Sequence, residues 1–404
     1  MSKYFFLLQN NTELRPTGGF IGTYGVINVK DAEISSFKTD NVYNLDEQAG
    51  HLNFTPPAPL TKYNKVEKWY LRDSNWSPDF PTSAEKALWF YEQEGGRERN
   101  FDGVIAITPT LIETLIELTG GITVHGLEFT ADNFVDTLQY QVTEGFYRAG
   151  LDLSERKEII GDLSKILLER VFALPQEKWA DLFEIISQNL EKKHILIYFK
   201  DEVSQNLIKE NNWGGHIIQS AGDYLCLIDA NLASLKSDPG VKRTLNYTLK
   251  KEGNKYLANF EVTYKNEGTF TWKTTRYRTY FRLYVPQGSK LIDIIGTNEE
   301  KVSAEELGKT YFGSFVSIEP QEEKKIIFKY ELPSQVYQMI NDKKYQLVFQ
   351  KQPGTQDYLT YLDLEFHKNI KNFTSLDKLR KESNNKMTLS TELSGDIVLE
   401  INFK

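Results

Sequence analysis

Apolar and polar positions change their period once along the chain. In the first half, short apolar runs alternate with stretches whose apolar residues recur every three or four positions. Tyr4 to Gln9, Phe20 to Val29 and Glu33 to Thr39 are predicted strands, the last two a hairpin joined through Lys30-Asp31-Ala32. Pro81 to Glu94 is a predicted helix that stops at Gly95-Gly96, and Phe101 to Thr108 a strand. Pro109 then opens a helix with Leu111, Leu115, Ile116 and Leu118 at helical spacing, ended by Gly120-Gly121. Thr130 to Asn133 caps a helix running to about Glu144. Ser154 caps another, with Ile159, Leu163, Ile166, Leu167 and Val171 on one face, and Pro175 starts a third carrying Trp179, Leu182, Phe183, Ile186 and Leu190. Ile195 to Phe199 and Tyr224 to Ile228 are predicted strands flanking a short helix from Asp201 to Asn211. Residues 41–63, with Pro56-Pro57-Ala58-Pro59, show no period and are expected to form a loop.

The second half has period two. Phe260, Val262 and Tyr264 alternate with polar residues, as do Thr279, Phe281, Leu283 and Val285, then Leu362, Leu364 and Phe366, then Ile397, Leu399, Ile401 and Phe403. Short alternating runs between Gly, Pro and Asn turns predict an all-β sandwich. The change falls near Ser237-Asp238-Pro239-Gly240. The expected organisation is an α/β domain over residues 1–236 and an immunoglobulin-like β-sandwich over residues 241–404. A chain of 404 residues suits two domains.

Composition narrows the function classes. Hydrophobic residues make up 40% and charged residues 26%, which excludes disorder and collagen. The net charge of −8 comes without a long Lys/Arg block, so no general nucleic-acid binder is expected. The basic cluster from Lys378 to Lys386 is broken by Leu379, Glu382, Asn384 and Asn385 and reads as a solvated loop. The lone Cys226 sits in an apolar run and reads as a core residue. No run of about 18 apolar residues occurs, and Tyr4 to Leu8 is too short for a signal peptide. A chain that starts inside its first strand suits a membrane anchor lying before residue 1, which is an expectation only.

Several chemistries are absent from the sequence. There is no CxxC, HExxH or GxSxG. Gly308-Lys309-Thr310 looks like the end of a phosphate loop. However, Ser303 stands where the first Gly belongs, and the segment lies in the β-rich half. On the predicted strand Tyr277 to Tyr284, Arg278, Tyr280, Arg282 and Tyr284 share one face, expected to be a solvated sheet face rather than a carbohydrate platform.

Three constellations remain. The first runs from Asn10 to Gly25 and surrounds Arg15 with Thr17, Gly18, Gly19 and Gly22. Glycines let backbone approach a ligand closely, and Arg grips phosphate bidentately. The same residues equally suit a bulge and a structural ion pair. The second is Trp69 to Thr82, which places Arg72, Asp73, Asn75 and Asp79 before a helix N-terminus, where anions are favoured. Asp73 and Asp79 could hold Mg²⁺ through oxygen, or Asp79 could simply cap the helix. The third is Glu155-Arg156-Lys157-Glu158, where positive charge at a helix start suits an anionic partner or a solvated face.

At these residues the first half resembles the LytR-CpsA-Psr family of cell-envelope proteins, and more closely a divergent bacterial branch of unknown function related to them. The resemblance lies in Leu7 to Gly22, Arg72 to Pro81, Phe101-Asp102-Gly103-Val104, Leu118 to Val124 and Ser154 to Glu158, and covers roughly residues 4–230. It implies an α/β/α sandwich around a mixed sheet, outside the cytoplasm and anchored to the membrane. It implies binding of a polyprenyl-pyrophosphate-linked glycan or other lipid phosphate, and a phosphotransferase that delivers it to a cell-wall polymer. The implied catalytic residues are Arg15, Arg72 and Asp73. Arg15, Thr17, Gly18, Gly19, Arg72, Asn75, Arg156 and Lys157 are implied for substrate, and Asp73, Asp79 and Asp40 for Mg²⁺. The family motif has an aspartate two residues after its arginine, whereas this chain has Thr17 there. A lipid- or anion-binding protein without catalysis, and a surface scaffold or adhesin, are the alternatives.

Overall fold

The strand at the start of the chain is apolar on both faces, which requires cover on both sides. In the computed structural model, which describes residues 1–31, 33–142 and 158–404, that cover is present. Strands β1 (Ser2–Asn10), β2 (Phe20–Lys30), β3 (Glu33–Asn41), β4 (Gly103–Ile107) and β7 (Ile195–Phe199) form a mixed sheet in the order β3-β2-β1-β4-β7. Here β5 (Ile122–Val124) and β6 (Leu127–Phe129) are a separate small hairpin. Only β1 and β4 run parallel. Phe5 and Leu7 point to one face, where α1 (Val42–Gln48) and α3 (Phe80–Gln93) pack. Phe6 and Leu8 point to the other, where α4 (Pro109–Thr119), α5 (Phe134–Tyr140), α6 (Glu158–Phe172) and α7 (Trp179–Glu191) pack. The unit is thus an α/β/α sandwich with a mixed central sheet, completed by α8 (Glu202–Glu210).

Local chemistry explains most element ends. Asp79 caps α3 by accepting from Thr82 N at 3.1 Å, and Asp201 caps α8 by accepting from Ser204 N at 2.8 Å. Pro109 opens α4 and Gly120, at φ +86°, closes it. Residues 41–63 correct the expectation of a loop. The Asn41 side chain accepts from Tyr43 N and starts α1, whose Val42 and Leu45 are buried. A second helix, α2 (Ala58–Asn64), follows Pro57 and buries Leu60. Both are seven residues long, too short for a helical period to show.

The chain divides into two compact units. The first comprises Met1–Asn11, Thr17–Thr61 and Lys65–His216; the second comprises Thr12–Pro16, Lys62–Asn64 and Ile217–Lys404. The break after His216 corrects the boundary expected near residues 237–240. Tyr224 to Ile228 belongs to β8 (Asp223–Asn231), buried along its whole length at the centre of a second-unit sheet. A central strand covered on both faces has no period-two signature, so its apolar run reads as part of the α/β half.

The second unit is a β-sandwich of two seven-stranded sheets. One has the order β12 (Lys290–Ile295), β15 (Glu323–Glu331), β10 (Lys255–Asn266), β9 (Val241–Glu252), β17 (Tyr358–Glu365), β20 (Lys386–Leu393), β19 (Leu379–Ser383). The other has β13 (Val302–Glu306), β14 (Lys309–Ile318), β11 (Tyr277–Pro286), β8, β16 (Lys344–Phe349), β21 (Ile397–Phe403), β18 (Ile370–Phe373). Helix α9 (Ser334–Asn341) buries Val336 and Ile340 in the same core. An immunoglobulin-like domain has roughly seven to nine antiparallel strands. This sandwich has more, and its β8/β16 and β9/β17 pairs are parallel. The cluster around Lys378 to Lys386 is edge strand β19 and the start of β20, not a loop. The face of β11 bearing Tyr280, Arg282 and Tyr284 is buried, not solvated. Arg282 pairs there with Glu306 at 3.2 Å, and the Tyr284 hydroxyl also donates to Glu306.

Two polar networks lie inside the sandwich. Arg243 bonds Asp229 at 2.8 Å and Asp238 at 2.9 Å, and Tyr264, Tyr277 and Thr279 donate to the same carboxylates. Asp223 accepts from Tyr247 at 2.6 Å and Tyr345 at 2.7 Å, and burial pushes its carboxyl up to about 6.

Candidate functional site

The first unit contains a cavity and a groove that share a wall. The cavity, about 300 Å³, lies between the sheet and helices α4, α5, α6 and α7. Phe6, Ile27, Ile112, Phe134, Leu163 and Ile186 are among its lining residues, and among the described residues Ser164 is the one polar residue there. Even that hydroxyl is bonded, donating to Ile160 O at 2.7 Å. The groove, about 1220 Å³, runs between β3 and α6. Ile34, Phe37 and Leu168 line both spaces.

The groove exists because α6 meets β3 closely at one point. A Cβ on Gly161 would lie 3.1 Å from Thr39 Oγ1. Beyond that contact the described walls are mixed, with Phe172 and Ala173 beside polar side chains. Ser36, Lys38, Thr39, Asp40 and Asn41 come from β3, Asn44 from α1, and Asp162, Lys165 and Glu169 from α6. Among the described residues, two lysines stand against three carboxylates beside hydroxyl and amide side chains. Asp40 is held in place, accepting from Tyr24 Oη at 3.1 Å and Asn44 Nδ2 at 2.7 Å.

A second polar cluster surrounds Arg72. Its guanidinium bonds Asp46 at 2.6 Å, approaches Asp73 at 3.7 Å, and lies over the rings of Tyr70 and Tyr43, 4.9 and 5.3 Å from their centroids. Behind it, Glu94 accepts from Leu71 N at 2.7 Å. Burial pushes both the Asp46 and Glu94 carboxyls up, Glu94 further because the Asp46 charge adds to the effect. The two carboxyls are hydrogen-bonded to each other and titrate as a pair. Desolvation, aided by Asp40, also raises the Tyr24 hydroxyl well above its usual range.

The expected site residues fall into separate places. Arg15 belongs to the second unit. It is 2% exposed, donates to Asn231 O and pairs with Glu13 at 3.3 Å, while Glu13 also bonds Lys236 at 2.6 Å. This is the structural ion pair weighed above, and it encloses the guanidinium. Thr17, Gly19 and Asn75 do meet, through Gln9. Thr17 Oγ1 and Asn75 Nδ2 donate to Gln9 Oε1 at 2.7 and 2.8 Å, and Asn75 also donates to Gly19 O at 2.9 Å. All three polar side chains are buried, so they join two loops rather than line an open pocket. The glycines serve backbone geometry. Gly18 has φ +132°, and a Cβ on Gly19 would lie 2.3 Å from the Asn10 carbonyl carbon. Arg156 and Lys157 lie outside the described residues.

The residues present do not fit a shared Mg²⁺ shell. Asp79 is occupied by its helix cap, Asp73 stands beside Arg72, and Asp40 is held in the groove by Tyr24 and Asn44. Among the described residues no group of three or more His, Cys, Asp or Glu is arranged for a metal. Sequence reading missed Gln9, Asp46, Glu94 and Lys165. The Val42/Leu45 spacing next to Asn41 was the one local signal for α1, and hence for Asp46.

Residues 1–142 match the family described as "Protein of unknown function (DUF4012)". No curated protein matches the chain. Native leukotriene A4 hydrolase from Saccharomyces cerevisiae is similar over 42% of this chain and 28% of its own, at 8% identity and a TM-score of 0.24. An M1 zinc metallopeptidase from Deinococcus radiodurans is similar over 40% of this chain and 42% of its own, at 11% identity and a TM-score of 0.20. The chain thus spans less than half the length of these solved structures. Likeness at this level carries no argument about fold or chemistry.

Proposed function

We propose that the first unit binds an amphiphilic lipid phosphate, its hydrocarbon chain in the cavity and its sugar-bearing headgroup in the groove. The observation that carries this reading is the shared wall of Ile34, Phe37 and Leu168 between a space whose described lining is almost wholly apolar and a groove that also holds charged, hydroxyl and amide side chains. An apolar chain seated there would remove hydrocarbon surface from water on both sides of the contact. The hydroxyl and amide side chains described in the groove suit the hydroxyls of a sugar headgroup. Among the described residues, Lys38 and Lys165 are the cations there that could meet a phosphate.

The resemblance to cell-envelope proteins extends the proposal to a polyprenyl-pyrophosphate-linked glycan handled outside the cytoplasm by a membrane-anchored protein. It also extends it to transfer of that glycan onto a wall polymer. Such transfer needs charge stabilisation at phosphorus. Arg72, half-buried between two tyrosine rings, is the residue proposed for that role.

Native mass spectrometry tests the binding. The protein incubated with a polyprenyl phosphate in detergent is expected to carry one lipid, and with inorganic phosphate none. Leu168→Trp, which narrows the shared wall, is expected to abolish the adduct. No adduct on the unmodified protein overturns the proposal.

A further inference from the structure

The second unit carries a groove of about 670 Å³ on the outer face of the sheet formed by β9, β17, β20 and β19. Tyr361 stands in it, 39% exposed, on a strand whose alternate residues are buried in the sandwich core. Register places Asn246 on one side of Tyr361 and Ser390 on the other. The next rung along β17 is Asp363, flanked by Thr248 and Thr388. Edge strand β19 supplies a wall with Arg380 and Glu382.

We infer that this groove is a binding site for an uncharged, linear oligosaccharide, separate from the lipid site proposed for the first unit. An exposed tyrosine ring gives a flat apolar platform with a polar tip. The C–H face of a pyranose fits such a platform, and its equatorial hydroxyls need donors and acceptors around the rim. Two rungs of amide, hydroxyl and carboxylate side chains supply them. Strands lie about 4.8 Å apart and same-face residues about 6.7 Å apart along a strand, so these groups are spaced on the scale of a sugar ring.

Charge decides between ligand classes. Lys378 and Arg380 are balanced by Asp363 and Glu382 in the lining. Asp363 is further paired with Lys386 at 2.9 Å, and Glu382 accepts from Thr388 at 2.8 Å. With Lys386 counted, three cations face two carboxylates, and one excess charge is too little for the counterion release that holds a nucleic acid or for steering a charged lipid. A protein partner would need a wide apolar core around its anchor, whereas the neighbours of Tyr361 in register are Asn246 and Ser390.

Saturation-transfer NMR on the whole chain tests the site, with β-1,4-linked hexasaccharides of glucose and of N-acetylglucosamine as probes. At least one is expected to bind, with transfer concentrated on ring C–H protons. Tyr361→Ala is expected to weaken binding roughly tenfold, and Tyr361→Phe to keep it, because the ring stays. Asn246→Ala serves as the second variant and is expected to weaken binding a few fold. Val203→Ala, on exposed α8, is expected to bind as the parent does. Failure of both hexasaccharides to bind overturns the inference, as does unchanged binding by folded Tyr361→Ala.

Discussion

Asn75 Nδ2 donates to Gln9 Oε1 at 2.8 Å, joining the loop after α2 to the end of the first strand across 66 residues of sequence. The same amide satisfies Gly19 O. The glycine-rich segment and the Arg72–Asn75 segment are therefore one buried joint. Asn75→Ala strips two acceptors of a donor inside the protein. Urea unfolding of that variant is expected to show a loss of about 1–3 kcal/mol. An unchanged midpoint would mean that water replaces the amide.

Gly19→Ala tests the close approach in the same joint. Its new methyl group would overlap the Asn10 backbone, which cannot swing aside as a flexible side chain can. Thermal unfolding is expected to show a stability loss larger than the roughly 1–3 kcal/mol typical of overpacking. A melting temperature equal to the parent's would rule out the contact.

The acidic pair behind Arg72 predicts a pH dependence of stability. The folded carboxyls are raised, Asp46 to about 6 from 3.8 and Glu94 to about 8 from 4.5. The folded state therefore keeps protons that the unfolded chain has already released. Stability from this pair is fully present at low pH and falls as pH rises from the unfolded values through those of the folded pair. The melting temperature is expected to decline between about pH 5 and about pH 9, and Glu94→Gln to flatten that decline. A variant with the parent's slope would place the titration elsewhere.

Arg243 predicts a large effect in the sandwich. Arg243→Met removes the cation from between Asp229 and Asp238, both almost fully buried. Breaking such a cluster on one side costs about 3–5 kcal/mol, because the remaining charges lose their partner. Denaturant unfolding followed by tyrosine fluorescence should show it. A cost under about 1 kcal/mol would mean that the hydroxyls of Tyr264, Tyr277 and Thr279 hold the carboxylates without the cation.

Several features could be read from neighbouring residues alone. Asp79 beside Thr82, Pro109 at the start of α4 and Gly120 at its end act within a few positions, so the sequence specified those helix ends. The alternation at Phe260, Val262 and Tyr264 depends only on which side of a pleat each residue faces, and all three are buried. Arg15 shows the opposite case. Nothing near it in sequence indicates that its guanidinium ends against Asn231 O, 216 residues away.

Backbone sterics, capping and side-chain period are local, so the kind of each longer element and the change from mixed α/β to all-β are legible in the chain. The partners of buried polar groups are a matter of the folded arrangement. It decided that Gln9 receives Thr17 and Asn75, that β8 completes the sandwich, and that α6 leaves a cavity beside β3. The physical reason is that burial makes an unmet hydrogen bond or charge costly, and the group that meets it can come from any part of the chain.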